Sequence, residues 1–344
     1  MKRLDTFEDV VNLRISGEKR LFSATHEEIF AGYTTDVYFL KTLDILRRAG
    51  REHVTVTAEI FPRKNGVMAG VREVLNFLEG ADVRIWSIEE GEEFSRKEVV
   101  MRIEGPYDEF GQWETVILGF LSASSSWATA ARECKRAAGE RTVLCFGARH
   151  THPAVAPVME RAAIVGGVDG ASCILGAKFA GRMPKGTVPH AVALIIGDTV
   201  EVARLYDTAV PPEESRIILV DTFKDEAEES LRVAMALGDK LNGIRLDTPE
   251  ERGGITPELV KEVRYRLDLQ GFKDVKIFVS GGINPDKIER LKDAPVDGFG
   301  VGSYIVHGTP IDMTMDIKEV EGLPVAKRGR LPGKIENQRL KRVK

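Results

Sequence analysis

Two short strings late in the chain carry the residue types for one kind of chemistry. Ser280-Gly281-Gly282-Ile283 and Gly300-Val301-Gly302-Ser303 each follow an apolar run with strand character, 276–279 and 296–299, with one amphipathic stretch, 285–292, between them. Strand, glycine loop and helix, repeated once, is the arrangement by which the last units of a parallel α/β barrel hold a phosphate. Glycine lets a backbone approach closely, and bare N–H groups at the loop and helix start favour an anion. One Gly-Gly after a strand is most simply a chain reversal. Two in succession at this spacing point to a phosphorylated substrate.

Polar residues also end the candidate strands that come earlier. Arg149, His150, Thr151 and His152 follow one of them, Asp221-Thr222 another, and Arg245 and Asp247 a third; the link 178–190 carries Lys178, Arg182, Lys185 and His190. In parallel barrels the catalytic groups sit on the loops after the strands. Cations outnumber carboxylates there, which suits an anionic substrate with several phosphates, and Asp221 or Asp247 would hold Mg²⁺ against those phosphates. Taken alone, Arg245 and Asp247 are equally an ordinary ion pair at a strand end. His190 follows Gly186-Thr187-Val188-Pro189 and opens a helix. A histidine at such a corner more often packs through a hydrogen bond than reacts, so the residues by themselves give it a structural role. One residue separates His150 from His152, which is not the i, i+4 spacing of a helical metal pair, and no metal is expected there.

The elements that must position these groups fall into two patterns. Up to about residue 112 a helix over 36–48, a strand over 54–60, a helix over 70–78 and strands over 84–88 and 99–103 predict an α/β layer domain. From 113 a long helix to 138 precedes steady alternation. Strands are expected at 142–146, 171–174, 216–220, 243–246, 276–279 and 296–299, and helices at 154–165, 191–209, 226–237, 257–269 and 285–292. Near-continuous Ile, Val and Leu strands spaced by helices predict a parallel sheet, closed or nearly closed into an irregular parallel α/β barrel. The domains are set at 1–112 and 113–307, with 308–344 returning to complete the first through a strand over 313–320.

The whole chain narrows the function class. At 344 residues, 43% hydrophobic and 30% charged, it is long enough for one large or two ordinary cored domains, and its net charge of −4 gives nucleic acid no bulk attraction. The basic segment 334–344 reads as a solvated terminus. No apolar run is long enough to span a bilayer and Met1-Lys2-Arg3-Leu4 opens no export signal, so a cytoplasmic protein is expected. Cys134, Cys145 and Cys173 lack Cys-x-x-Cys spacing and read as buried thiols. Three Gln and six Asn beside many Lys, Arg and Glu suggest a heat-adapted source.

Taken together and in order, these motifs resemble the type II nicotinate phosphoribosyltransferases, a group that includes the nicotinamide and quinolinate enzymes. The resemblance runs almost end to end: Thr35-Asp36-Val37-Tyr38, Gly66-Val67-Met68-Ala69-Gly70, Glu104-Gly105-Pro106, Phe146-Gly147-Ala148-Arg149, Gly186-Thr187-Val188-Pro189-His190, Asp221-Thr222, Arg245-x-Asp247, Ser280-Gly281-Gly282 and Gly300-x-Gly302-Ser303. It implies transfer of phosphoribosyl from 5-phosphoribosyl 1-diphosphate to nicotinate, with Mg²⁺ and with ATP as co-substrate. It also implies a head-to-tail homodimer with shared active sites, and leaves assembly beyond the dimer open.

Residue by residue, the resemblance gives Tyr38 to the pyridine ring from a second subunit and Phe146 to its opposite face. Arg149 falls to the nicotinate carboxylate, and Asp221, Arg245 and Asp247 to the phosphoribosyl group. The 5′-phosphate goes to Ser280, Gly281, Gly282, Gly300, Gly302 and Ser303. Lys178 and Lys185 lie where diphosphate contacts are expected. His190 matches the histidine that ATP phosphorylates, which replaces the structural role. His150 stands where some relatives have a second arginine, and the zinc module of some relatives has no counterpart here, so no zinc is expected. The rival readings are a decarboxylating quinolinate enzyme, a nicotinamide enzyme and a non-catalytic phosphate-binding barrel.

Overall fold

The computed structural model describes residues 3–13, 15 and 21–344. Met1 and Lys2, read above for an export signal, lie outside the described residues. The chain divides into two units, Met1–Thr129 with Thr309–Lys344, and Ala130–Gly308. The division falls inside the helix Glu114–Ala138, at 129/130, where the sequence reading set it ahead of that helix at 112/113. The pattern change that marks the helix start does not mark the boundary, because the small residues of this helix keep packing on the first unit: Ser125 Oγ accepts the Ala69 N–H and Ser122 Oγ donates to the Ile311 carbonyl.

In the first unit, β1 (Thr55–Pro62), β3 (Arg84–Ser87) and β5 (Met101–Pro106) join β12 (Met313–Val320), β13 (Leu323–Pro324) and β14 (Lys341–Arg342) in an antiparallel sheet of order β13-β12-β1-β5-β3-β14. The short pair β2 (Gly66–Val67) and β4 (Glu93–Phe94) stands apart. β12 pairs with β1 from Val56↔Val320 to Pro62↔Met313, so a late segment forms an inner strand beside an early one. The core gathers Ile60, Met68, Val74, Ile85, Ile103 and Phe110, apolar faces that the period-2 and period-3.6 patterns present to one another.

The basic segment stays largely exposed, as expected, but it is anchored to the first unit rather than free. Arg339 bonds Glu98 at 2.6 Å, Lys341 bonds Glu89 at 2.5 Å, and Lys344 Nζ donates to the Leu78, Glu79 and Ala81 carbonyls. Its cations meet an acidic rim, and Lys341 and Arg342 cover the otherwise unpaired edge of β3. Further along, the buried Glu59 carboxylate accepts from Arg102 Nε and Nη2 at 2.9 and 2.7 Å and from the Ile335 N–H at 3.1 Å.

In the second unit, β6 (Thr142–Cys145), β7 (Gly170–Ala171), β8 (Ile217–Leu219), β9 (Gly243–Leu246), β10 (Lys276–Val279) and β11 (Gly298–Val301) make a parallel sheet of order β7-β6-β11-β10-β9-β8. With β7 and β8 at its two ends it is an open half-barrel, and helices Ala156–Gly166, Glu226–Leu237 and Pro257–Leu269 separate its strands in the chain.

Three local expectations change. Strand 171–174 is only β7, because Cys173 caps the helix Ile174–Phe179. The helix expected over 191–209 is two, His190–Ile196 and Thr199–Ala209. Gly197 takes φ +92 and Asp198 accepts the Glu201 N–H at 3.0 Å, which stops one helix and starts the next. β11 begins at Gly298 rather than 296, since Asp297 Oδ2 accepts the Ile277 N–H at 2.8 Å in place of a ladder bond. β11 also runs on to Val301, past the expected end at 299, so Gly300 lies within the strand.

Candidate active site

Every strand of the second unit points the same way, so the loops after β6, β8, β9, β10 and β11 share one end of the sheet. There a cleft of about 460 Å³ is lined by Phe146, Arg149, His150, Arg245, Asp247, residues 280–284, Gly300, Gly302, Ser303, Tyr304 and His307.

The loop after β6 is set by two devices. Phe146 N–H donates to the Val301 carbonyl at 2.7 Å, and a Cβ added to Gly300 would sit 2.4 Å from the Phe146 ring. Only glycine leaves that ring its place. Glu160, fully buried on the next helix, accepts from the Ala148 N–H at 3.1 Å, the Ser172 hydroxyl at 3.0 Å and the Cys173 N–H at 2.5 Å. It ties the turn that carries exposed Arg149 and His150 to the loop after β7.

A polar chain runs along the next strand ends. Ser280 Oγ donates to Asp247 Oδ1 at 2.9 Å, and the Asp247 N–H donates to Asp221 Oδ2 at 2.8 Å. Arg245 Nη1 donates to Thr187 Oγ1 at 2.5 Å, with its guanidinium 6.0 Å from the Phe146 ring centroid. His190 Nδ1 and the Thr222 hydroxyl share a hydrogen bond of 3.0 Å, which leaves Nε2 facing Asp247 at 3.8 Å and Asp221 at 4.0 Å. Gly281 and Gly282 take φ +85 and +62, conformations that favour glycine and allow two successive loop N–H groups to approach one anion.

Burial governs the electrostatics. Desolvation raises the Asp221 carboxyl above its ordinary range, opposed by the Asp247 N–H and by His190. Desolvation lowers Arg245, while the carboxylates of Asp247 and Asp221 act to hold its charge. His150 is lowered by burial, then by Arg149 and His307. Two polar atoms, Asp221 Oδ1 and Arg245 Nε, are buried without a hydrogen-bond partner among the described residues. A site that keeps unsatisfied donors and acceptors of both signs is built to receive a polar ligand.

Of the residues expected from sequence, Phe146, Arg149, His150, Arg245, Asp247, Ser280, Gly281, Gly282, Gly300, Gly302 and Ser303 line the cleft, and His190 and Asp221 adjoin it through Asp247. Lys178 and Lys185 are not among its lining residues. Lys178 Nζ sits 3.0 Å from Met183 Sδ, and Lys185 donates its N–H to the Ala171 carbonyl while its stem covers Gly170. Tyr38 is an exposed residue of the other unit. Sequence reasoning named Thr187 and Thr222 only within motifs, without a role, and overlooked Glu160, Tyr304 and His307. The Asp221-Thr222 pair was a usable signal, since a hydroxyl beside a strand-end carboxylate commonly orients a neighbour.

Comparison with known proteins agrees with this architecture. The profile of the quinolinate phosphoribosyl transferase N-terminal domain matches residues 36–125, and that of the C-terminal domain matches residues 127–316. The chain is also 30% identical to a nicotinate phosphoribosyltransferase of Mycobacterium tuberculosis over 87% of this chain and 75% of that one. The chain belongs to the type II phosphoribosyltransferase family.

Solved members of this family share its fold. The crystal structure of a nicotinate-nucleotide pyrophosphorylase from Pyrococcus furiosus superposes with a TM-score of 0.86 at 46% identity, covering 92% of this chain and 82% of that one. Human nicotinic acid phosphoribosyltransferase agrees in fold alone, with a TM-score of 0.72 at 20% identity over 87% and 77% of the two chains. An antiparallel sheet unit and a parallel half-barrel are the family arrangement. Among the described residues no helix is long and apolar enough to cross a membrane.

Proposed function

We propose that this enzyme transfers the phosphoribosyl group of 5-phosphoribosyl 1-diphosphate to nicotinate, giving nicotinate mononucleotide and diphosphate, a step of NAD biosynthesis, with ATP hydrolysis coupled through His190. The observation that carries the reading is one cleft in which an aromatic ring, an exposed arginine, a carboxylate chain and two glycine loops converge.

The chemistry follows from these groups. Phe146 offers a face for a flat ring and Arg149 a fork for its carboxylate. The glycine loops hold the 5′-phosphate. The pyridine nitrogen's lone pair forms the bond to the anomeric carbon as the carbon–oxygen bond breaks and its electrons leave with diphosphate. No proton moves, so positioning and charge stabilisation dominate. Tyr38 would close the other face of the ring from a second copy in a homodimer.

Mg²⁺ fits the carboxylate pair. Asp221 Oδ1 is a buried oxygen without a hydrogen-bond partner, and it faces the same imidazole as Asp247 Oδ2. Among the described residues there is no cluster of three or more His, Cys, Asp and Glu able to cage a metal, so diphosphate oxygens and water would complete the shell. Such an ion would neutralise charge on the leaving group. His190 Nε2 is the imidazole nitrogen that Thr222 leaves available for a phosphoryl group from ATP, with ADP leaving and water later releasing phosphate.

A quinolinate reading draws on the family profiles. A second carboxylate needs further cations, and here Arg182 is spent on the Asp169 carbonyl at 2.5 Å. Diphosphate release with nicotinate, quinolinate and nicotinamide, each with and without ATP, tests the proposal. Release with nicotinate, enhanced by ATP, supports it; release with quinolinate and carbon dioxide, or with none of the three, contradicts it.

A further inference from the structure

The loop Ser280-Gly281-Gly282 poses a physical problem. Two consecutive glycines at φ +85 and +62 are flanked by few steric barriers, so the peptide between them can rotate at little cost. A phosphate loop works only if its N–H groups point at the anion. The peptide is trans, since the chain contains no cis bond among the described residues, and a trans peptide directs its C=O and N–H to opposite sides.

Lys287 addresses that carbonyl. Asn284 caps the helix Pro285–Arg290 by accepting the Lys287 N–H at 2.8 Å, and Lys287 Nζ donates to the Gly281 carbonyl at 2.8 Å. Lys287 is not among the residues lining the cleft, whereas Gly281 and Gly282 are. Among the described residues neither glycine N–H donates to a protein acceptor. The ammonium therefore fixes the carbonyl of the Gly281–Gly282 peptide on the Lys287 side, and in a trans peptide the N–H of Gly282 points the opposite way.

We propose that Lys287 is a positioning residue that sets the orientation of the Gly281–Gly282 peptide and so presents the Gly282 N–H to the phosphate of the substrate. The inference rests on the reading of the cleft as a phosphoribosyl site. Lys287 acts through the backbone, not as a direct ligand. Its removal lets the peptide turn its carbonyl dipole toward the anion, which weakens phosphate binding and leaves the reacting atoms untouched.

The variants Lys287→Met and Lys287→Arg test this against the full-length wild-type enzyme. The readouts are KM for 5-phosphoribosyl 1-diphosphate, KM for nicotinate, kcat, and the Kd of inorganic phosphate by calorimetry. Lys287→Met should raise the donor KM and the phosphate Kd about ten-fold, the scale of one hydrogen bond to a charged group, with kcat and the nicotinate KM within about two-fold. Lys287→Arg, which keeps a donor for the carbonyl, should restore most of the loss. The Met-to-wild-type ratio should be the same at about 0.05 M and about 0.5 M KCl, because a held peptide is not screened as a distant charge is. A donor KM and phosphate Kd within about two-fold of wild type, or an effect that vanishes at high salt, would overturn the inference. A wild-type enzyme inactive with nicotinate contradicts the proposed function instead, and the phosphate Kd values still decide the role of Lys287.

Discussion

Asp221 Oδ2 accepts the backbone N–H of Asp247 at 2.8 Å, so the carboxylate that ends one strand holds the backbone that ends the next. The price of that arrangement is a buried charge. Burial raises the Asp221 carboxyl above its ordinary 3.8, which means the folded state resists ionising it. Stability from the neutral form is complete below 3.8 and is lost as pH rises through the raised folded value. Asp221→Asn, which keeps an acceptor for the Asp247 N–H, should raise Tm at pH 7 and lower kcat about 100-fold. The Tm advantage should shrink as pH falls toward 4. Thermal melts across that range check it, and an Asn variant with lower Tm at pH 7 contradicts it.

Arg149 is exposed at the cleft mouth, and the proposal gives it the nicotinate carboxylate. Arg149→Ala should raise the nicotinate KM about 30- to 100-fold, the worth of a charged bidentate pair. The KM for the phosphoribosyl donor should change little. Steady-state kinetics with both substrates varied will show whether the loss is confined to the base.

Much of this site was legible in the sequence because parallel strands carry their functional residues at one end. Asp221, Arg245, Asp247, Ser280 and Gly302 each follow an apolar run, and the direction of the sheet then gathers them. What stayed hidden depends on contacts between loops far apart in the chain. Glu160 looks like one more helical glutamate until the loops after β6 and β7 close over it. Thr187 reads as part of a turn, and only the fold brings it to Arg245. The anchoring of segment 334–344 stayed hidden for the same reason: its charge pattern suggests solvent, while its acidic partners Glu89, Glu92 and Glu98 lie some 240 positions earlier, as the Arg339–Glu98 separation of 241 shows. Helix boundaries suffered from local chemistry that periodicity ignores, as at Gly197-Asp198.

Gly300 faces the Phe146 ring so closely that an added Cβ would lie 2.4 Å from it. Gly300→Ala must displace the ring, at about 1–3 kcal/mol of overpacking strain. Because Phe146 is the proposed platform for the base, the nicotinate KM should rise about ten-fold while the fold persists. A crystal structure of the variant with an unmoved ring would refute the link.

His190 has one imidazole nitrogen on Thr222 and the other toward two carboxylates. His190→Ala should remove the stimulation by ATP and leave basal transfer measurable. Thr222→Val should weaken the stimulation less, since it releases the ring without deleting it. Full ATP dependence in His190→Ala would contradict the phosphoryl role.

Glu59 is a buried carboxylate that binds Arg102 and the Ile335 N–H in the first unit. Glu59→Ala leaves the half-buried Arg102 charge without its partner and should cost about 3–5 kcal/mol. Urea unfolding should show a lower midpoint, and Glu59→Gln should recover part of it.

The most direct measurement is a crystal structure with nicotinate mononucleotide bound. The phosphate is expected on the loop Ser280–Gly282 and the end of β11 from Gly300 to Ser303, the pyridine ring on Phe146 and the base carboxylate at Arg149. A nucleotide lodged outside the cleft, or one with its phosphate away from both glycine loops, would contradict the account.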